Sequence, residues 1–370
     1  MNSSTAPHRV LLPALIGLRG VAAVAVLLFH LHHLASLPLP PAMSFIGSHF
    51  GLSVQLFFVL SGFSLCHATI DSIGRENWIR DYFIKRFFRI APLFYVMIAV
   101  WVAFFQVRGV RTDATTLILN LSYSFNLVPG KHESLVAAGW TIGVEMLFYC
   151  LLPALLATIR GLREAVVFLV VAAAVSGAGR AALAGGGELL GSYAGLSFVA
   201  SLGVFAAGIA AYHLWRLLPA KKNAVAIVAI ATLGLAVLLA SPLGGRLLGP
   251  SRQDVMLWSL CFGGLTVWQA AAPSRLLSSQ PLQFLGNRSY SIYLLHPLVI
   301  VLGKEPIKRI HAVSLPWLGD WAFFASGGIV TAAVAVAAAA TYALVETPGV
   351  NAGRWLLGRL SGGARAAGSP

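Results

Sequence analysis

The sequence is short of charged residues. Only 10% of its 370 residues are charged and 58% are hydrophobic, whereas soluble globular chains carry about 25% charged residues. Too little polar surface is available to cover a fold in water. This composition excludes a soluble domain and predicts an integral membrane protein.

Cysteine is also scarce. Cys66, Cys150 and Cys261 lie far apart in apolar stretches, where a thiol behaves as a small hydrophobic side chain. Three scattered cysteines do not form a disulfide framework, so none is expected.

The apolar runs lack the period-two alternation of membrane β-barrels, as residues 166–174 and 224–240 illustrate. Runs of about 20 apolar residues, enough to cross a bilayer as a helix, recur along the chain. We therefore predict an all-α polytopic membrane protein with about ten transmembrane helices. The predicted spans are 14–35, 44–68, 91–107, 141–158, 164–183, 194–215, 223–241, 254–272, 289–303 and 320–345.

Basic residues are distributed unevenly around these spans. With the N-terminus inside, most of the 26 lysines and arginines fall in cytoplasmic segments, so the positive-inside rule predicts that both termini are cytoplasmic. Lipid head groups at the span ends account for the net charge of +14, and no motif supports a nucleic-acid partner. The first span has no signal cleavage site and is expected to remain as a helix.

The spans form one predicted domain. We expect a single membrane-embedded domain over residues 1–350, followed by a short, basic, Gly/Ala-rich cytoplasmic tail over 351–370. The end of this tail, 361–370, is expected to be disordered. No internal repeat is visible, which argues against a transporter built from inverted halves.

Two ionisable residues occur in the first span. Arg19 and His30 are about three helical turns apart, so they share a face and lie roughly 16 Å apart along the axis. Arginine suits phosphate recognition, and histidine suits proton abstraction near neutral pH. Alternatively, Arg19 snorkels and a neighbouring carbonyl satisfies His30. His32 and His33 follow, but only His33 shares the face of His30, so no metal site is predicted.

Later spans carry further ionisable residues. Arg86 and Arg89 lie one turn apart beside the third span, where they suit a phosphate group or anchor the topology. Glu145, in the fourth span between Trp140 and Tyr149, needs a partner or a function at that depth. It is placed to pair with an arginine or to orient a histidine. His296, in the ninth span, has either a packing role or a chemical one.

The sequence resembles the acyltransferase-3 membrane family, which O-acylates bacterial surface sugars and some natural products. The resemblance covers residues 10 to 350 and rests on motifs in the family's order. They are Leu18-Arg19-Gly20 with Phe29-His30, Phe57 to Phe63 including Ser61, Arg86-x-x-Arg89-Ile-x-Pro92, Trp140-Thr141 with Glu145 and Phe148-Tyr149, and Ser289-Tyr290 through His296.

The resemblance implies transfer of an acyl group, usually acetyl, from cytoplasmic acyl-CoA to a hydroxyl of a sugar-containing acceptor. The enzyme would be a multi-pass protein of the bacterial inner membrane, with acetyl-CoA as co-substrate and no metal. We assign His30 and Glu145 as catalytic residues, with His30 as the base and Glu145 as its candidate orienter. Arg19, Arg86 and Arg89 are assigned to the coenzyme. Ser61, Trp140, Tyr149, Tyr290 and His296 are further candidates.

The chain departs from the family pattern at three positions. Ile16 stands where an acidic residue is common, Thr141 where serine often follows the tryptophan, and Phe94 where tyrosine is usual. Some family members carry an added soluble esterase-like domain, for which this sequence has no room. The membrane domain is therefore expected to handle the acceptor itself.

Two other classes of function remain open at this point. A proton-coupled transporter or flippase would use Arg19, His30 and Glu145 as a relay, whereas a structural subunit would leave these charges unexplained. The acceptor is also open among O-antigen, exopolysaccharide, lipo-oligosaccharide and macrolide. Direct transfer and an acyl-enzyme are both compatible with the residues.

Overall fold

The computed structural model describes residues 12–218, 222–248 and 254–367. These ranges are dominated by helices, and none of the residues in them forms a strand. The all-helical fold class predicted from the sequence is therefore confirmed.

The first half of the chain contains α1 (Pro13–Ala35), α2 (Phe45–His49), α3 (Ser53–Thr69), α4 (Trp78–Val107), α5 (Ala114–Leu121), α6 (Trp140–Thr158), α7 (Leu162–Ala184) and α8 (Gly187–Leu196). The second half contains α9 (Phe198–Leu217), α10 (Lys222–Ala240), α11 (Pro242–Leu248), α12 (Val255–Ala271), α13 (Gln280–Asn287), α14 (Ser289–Leu302), α15 (Lys304–Leu318), α16 (Ala322–Thr341) and α17 (Thr347–Ala367). A π-helical turn, Tyr342–Glu346, joins α16 to α17.

Within the described ranges, eight helical stretches are long and apolar enough to cross a membrane, and α12 and α14 are shorter apolar helices. Each predicted span coincides with one of these helices, so the polytopic membrane architecture is also confirmed. The outer helices fit this setting. α10, for example, leaves Ile227, Ile230 and Val237 exposed, as expected of side chains that face lipid.

The structure differs from the predicted boundaries at several places; span 44–68, for example, is divided between α2 and α3. α4 begins at Trp78 rather than near residue 91, because its first turns are polar and hydropathy detects only the apolar remainder. The expected disordered end is helical as far as Ala367, since alanine, leucine and arginine in this segment favour helix. Residues 368–370 of the predicted tail lie outside the described residues.

The helix α1 lies at the centre and packs against α3, α12, α13 and α14. Beside it, α3 and α9 cross at two glycines. A Cβ atom at Gly62 would lie 2.6 Å from the Phe205 carbonyl oxygen, and one at Gly208 would lie 2.2 Å from that of Val59. Glycine alone permits this approach. Phe205 also stacks on Phe148 of α6 at 3.9 Å between ring centroids, which holds α3, α6 and α9 together around the site.

Candidate active site

A cavity of about 390 Å³ lies among α1, α3, α4, α6, α13 and α14. Candidates from five of these helices meet in its lining, namely Arg19, Ser61, Arg86, Arg89, Glu145, Tyr149 and Tyr290. Residues far apart in the sequence thus share one site, and the volume suits a small-molecule ligand.

The cavity is elongated. Its lining on α3 extends from Val54 to Ala68, which corresponds to about 20 Å of helix. Arg19 marks one part of this length, because its Nη2 donates to the Leu60 carbonyl oxygen and to the Ser64 hydroxyl. Towards Val54, the lining includes Phe57 and Tyr293. The cavity therefore joins a cationic region to an aromatic end.

Arg19 and Arg86 are incompletely satisfied by the protein. Both hydrogen bonds of Arg19 are long, at 3.5 Å. Among the described residues, the buried Nε of Arg86 has no hydrogen-bond partner. A buried donor without a partner costs free energy, so an anionic ligand in the cavity would satisfy both guanidinium groups.

Arg89 differs from the other two arginines. Its Nη1 forms an ion pair with Glu346, whose side chain is fully buried. The Ser291 hydroxyl donates to the other Glu346 oxygen, and Thr341 donates to Ser291 at 3.0 Å. This network fixes Arg89 at the wall of the cavity and offsets part of its charge.

Glu145 accepts hydrogen bonds from two neighbours. The Ser61 hydroxyl donates to its Oε1 at 2.8 Å, and the Tyr149 hydroxyl donates to the same oxygen. Tyr82 donates to the Tyr149 carbonyl oxygen at 3.1 Å, which ties α4 to α6. Among the described residues, the hydrogen bonds of Glu145 do not include His30, the contact that the sequence suggested.

His30 instead contacts His296. Nδ1 of His30 lies 3.0 Å from Nε2 of His296 and 3.1 Å from the Val26 carbonyl oxygen. His30 is half-buried and His296 is fully buried. Both lie outside the cavity lining, next to its aromatic end. The ring of Tyr293 contacts Phe57, which lines the cavity, and also contacts His296.

The remaining candidates, Tyr290 and Trp140, stabilise the packing around the cavity. Tyr290 donates to the Ile90 carbonyl oxygen at 2.8 Å, which joins α14 to α4. Trp140 packs edge-on against Phe58 at 6.0 Å between centroids. Within the described ranges, no group of three or more His, Cys, Asp or Glu is arranged to hold a metal ion.

Sequence reasoning missed Glu346, Ser291 and Tyr293. The rule that singled out Glu145, namely that a carboxylate in an apolar span needs a partner, applies equally to Glu346. Its place at the end of a span made it resemble an interfacial residue. Ser291 and Tyr293 carry no charge, and their roles depend on neighbours that only the fold supplies.

Comparison with known proteins supports an acyltransferase. A family model described as an acyltransferase domain matches residues 12–340. YrhL of Bacillus subtilis, a predicted peptidoglycan O-acetyltransferase, is 28% identical over 84% of this chain and 51% of its own length. The peptidoglycan O-acetyltransferase OatA of Listeria monocytogenes is 25% identical over 84% of this chain and 52% of its own length.

A third relative, protein 2 in the picA locus of Rhizobium radiobacter, is 36% identical over 35% of this chain and 65% of its own length. The chain spans about half the length of the two peptidoglycan relatives. No solved structure matches it significantly. The family match covers most of the chain and the helices are those of a multi-pass membrane protein; the chain therefore belongs to the acyltransferase-3 family.

Proposed function

We propose that this chain is a membrane O-acyltransferase that moves an acetyl group from acetyl-CoA to a hydroxyl of a sugar-containing acceptor. One observation carries the proposal. One cavity is lined by three arginines and has an aromatic end at which Tyr293 contacts His296, the partner of His30. The arginines suit the phosphates of the coenzyme, and the aromatic end suits its acyl arm.

The charge of the lining supports an anionic donor. Arg19, Arg86 and Arg89 face one carboxylate, that of Glu145, within the cavity. Arg89 is offset by Glu346, which leaves Arg19 and Arg86 as the main phosphate ligands in this proposal. Glu145 lines the same cavity, with Ser61 and Tyr149 fixing its orientation.

The proposed reaction needs little more than a base, because a thioester is already activated. His30 accepts the proton of the acceptor hydroxyl, and the oxygen attacks the thioester carbonyl. The carbon–sulfur bond then breaks, and His30 returns the proton to the leaving coenzyme thiolate. The products are the acetylated sugar and free coenzyme A.

The names of two relatives support a cell-envelope glycan as the acceptor. We include peptidoglycan among the candidates, together with O-antigen and exopolysaccharide. A donor from the cytoplasm and an acceptor of the envelope fit a multi-pass protein of the bacterial inner membrane. Both termini are proposed to be cytoplasmic, as the basic residues predict.

Release of free coenzyme A from acetyl-CoA by purified protein, with and without envelope glycans, tests the proposal. The wild type should release coenzyme A, and His30→Gln should reduce the rate by about 10²–10⁴-fold, since glutamine cannot act as a base near pH 7. His33→Gln is the matched control, because His33 is exposed on the same helix. Proton-coupled glycan transport without acetyl transfer would instead identify a transporter or flippase.

A further inference from the structure

His30 and His296 form a chain of contacts between two backbone carbonyl oxygens, that of Ile292 and that of Val26. Nδ1 of His296 lies 3.1 Å from the Ile292 carbonyl oxygen, one turn earlier on α14. Its Nε2 lies 3.0 Å from Nδ1 of His30, which is also 3.1 Å from the Val26 carbonyl oxygen on α1. Each ring is thus linked to the backbone of its own helix and to the other ring.

The chemistry of these partners determines where the protons lie. A carbonyl oxygen only accepts hydrogen bonds, so Nδ1 of His296 must carry a proton and donate it to Ile292. In a neutral imidazole the other nitrogen is then an acceptor. Nε2 of His296 therefore accepts from His30, whose Nδ1 carries a proton and faces two acceptors.

The opposite arrangement is unfavourable. If Nε2 of His296 donated to His30, Nδ1 of both rings would present a lone pair to a carbonyl oxygen about 3.1 Å away. His296 is fully buried, so no water is available to relieve this repulsion, and a buried acceptor facing another acceptor loses its hydrogen bond.

We infer that His296 is a positioning residue, which holds His30 as the Nδ1-protonated tautomer and leaves Nε2 of His30 free to act as the base. This inference rests on the proposed acyl transfer. Among the described residues, Nε2 of His30 has no hydrogen-bond partner, and the ring is half-buried. Its lone pair is thus available to an acceptor hydroxyl.

The pair also explains how the positive charge of the reaction is held. When Nε2 of His30 takes the hydroxyl proton, the imidazolium keeps its Nδ1 proton and donates it to the neutral ring of His296. A hydrogen bond from a charged donor is stronger than one between neutral groups. His296 therefore orients His30 as a carboxylate orients the histidine of serine-hydrolase triads. Because the ring of His296 is neutral, the buried pair carries only the charge of the His30 imidazolium.

Variants of His296 test the inference through kcat and KM. In His296→Leu the acceptor for Nδ1 of His30 is lost, and kcat should fall by about 10²-fold with KM for acetyl-CoA nearly unchanged. His296→Gln places an amide oxygen near the former Nε2 and should recover most of this loss. His213→Leu is the matched control, because His213 is a buried histidine on α9 outside this pair; its kcat should equal that of the wild type.

The tautomer is measured separately by nitrogen NMR of protein labelled with ¹⁵N-histidine. The difference between wild type and His30→Gln should assign a protonated Nδ1 and an unprotonated Nε2 to His30. Protonation at Nε2, an unchanged kcat in His296→Leu, or equal losses in the Leu and Gln variants would overturn the inference. If the wild type releases no coenzyme A, the proposed function fails, while the NMR result still decides the tautomer.

Discussion

Arg89 of α4 forms an ion pair with Glu346, a fully buried carboxylate in the π-helical turn before α17. The arginine is the partner that reaches the cavity, with about a third of its side chain exposed. The same carboxylate accepts from Ser291 of α14. This pair therefore connects the cavity to the packing of three distant segments, namely α4, α14 and the π-helical turn.

Loss of Glu346 should affect stability first. Glu346→Ala leaves Arg89 without its partner, which should cost about 2 kcal/mol, less than for a fully buried charge because about a third of the Arg89 side chain is exposed. The free energy of unfolding in detergent should fall by this amount. The double variant Arg89→Met with Glu346→Leu should recover most of it, because neither charge remains buried. Arg80→Met, which breaks a partly exposed pair with Asp81, should cost no more than about 1 kcal/mol; an equal cost would contradict a buried network.

Arg86 should affect donor binding without affecting stability. Its Nε has no partner among the described residues, so Arg86→Lys removes no internal hydrogen bond of that atom but loses the planar fork that matches phosphate. We expect KM for acetyl-CoA to rise roughly tenfold, the equivalent of about 1.4 kcal/mol, at an unchanged thermal midpoint. Arg80→Lys, outside the cavity lining, is the control. An unchanged KM would show that Arg86 does not bind the donor and would favour its alternative role as an anchor of the membrane topology.

Ser61 and Tyr149 should be coupled through Glu145. Both donate to its Oε1. When one of the two hydroxyls is removed, the other still donates a hydrogen bond to the carboxylate. Ser61→Ala and Tyr149→Phe should each reduce kcat/KM for acetyl-CoA by about tenfold or less, and the double variant by more than the product of the two. Independent effects in this double-mutant cycle would show that the shared oxygen is not what links them.

The first turn of α5 should lose order in acid. Hydrogen bonds from the side chain and backbone of Thr116, and one from Lys131, hold the pKa of Asp113 well below its usual range. A carboxyl with a lowered pKa contributes its stabilisation in full above the unfolded value of about 3.9 and loses it as pH falls further. The protection factors of the amides of 114–117, which correct for the intrinsic exchange rate at each pH, should therefore be at their full value at pH 6 and should fall below pH 4. In Asp113→Ala, which removes the acceptor of the Thr116 hydrogen bonds, the protection should be low at both values, and full protection there would exclude this role.

The orientation in the membrane is open to a direct experiment. If both termini are cytoplasmic, a reporter fused after residue 370 should be active only inside the cell. A reporter inserted after Gly109, in an exposed turn at the end of α4, should be active only outside. The reverse pattern would show that Arg86 and Arg89 do not face the cytoplasmic donor.

Much of the fold and part of the site could be predicted from the sequence. Each predicted span corresponds to an apolar helix, because crossing a bilayer depends on the composition of a local segment. Arg19 and Glu145 were identified by the rule that ionisable groups are costly within apolar spans. Arg86 and Arg89 were identified by their one-turn spacing beside the third span and by the family motif. All four line the cavity.

The partners of these residues were not predictable in the same way. The sequence suggested that Glu145 orients His30, whereas the structure pairs Glu145 with Ser61 and Tyr149, and His30 with His296. Glu145 and His30 are both suited to such a contact by their chemistry. Their position along the packed helices decides between the partners.

The sequence by itself therefore determined a multi-pass helical protein, its family motifs and the residue types available for phosphate binding and proton transfer. The tertiary structure alone decided that Arg89 is offset by Glu346, that Arg19 and Arg86 remain open to a ligand, and that His296 contacts the candidate base. The physical reason is that hydropathy and charge are properties of a segment, whereas a hydrogen bond needs two atoms within about 3 Å. For α1 and α14, only the packing of one helix against the other brings such atoms together.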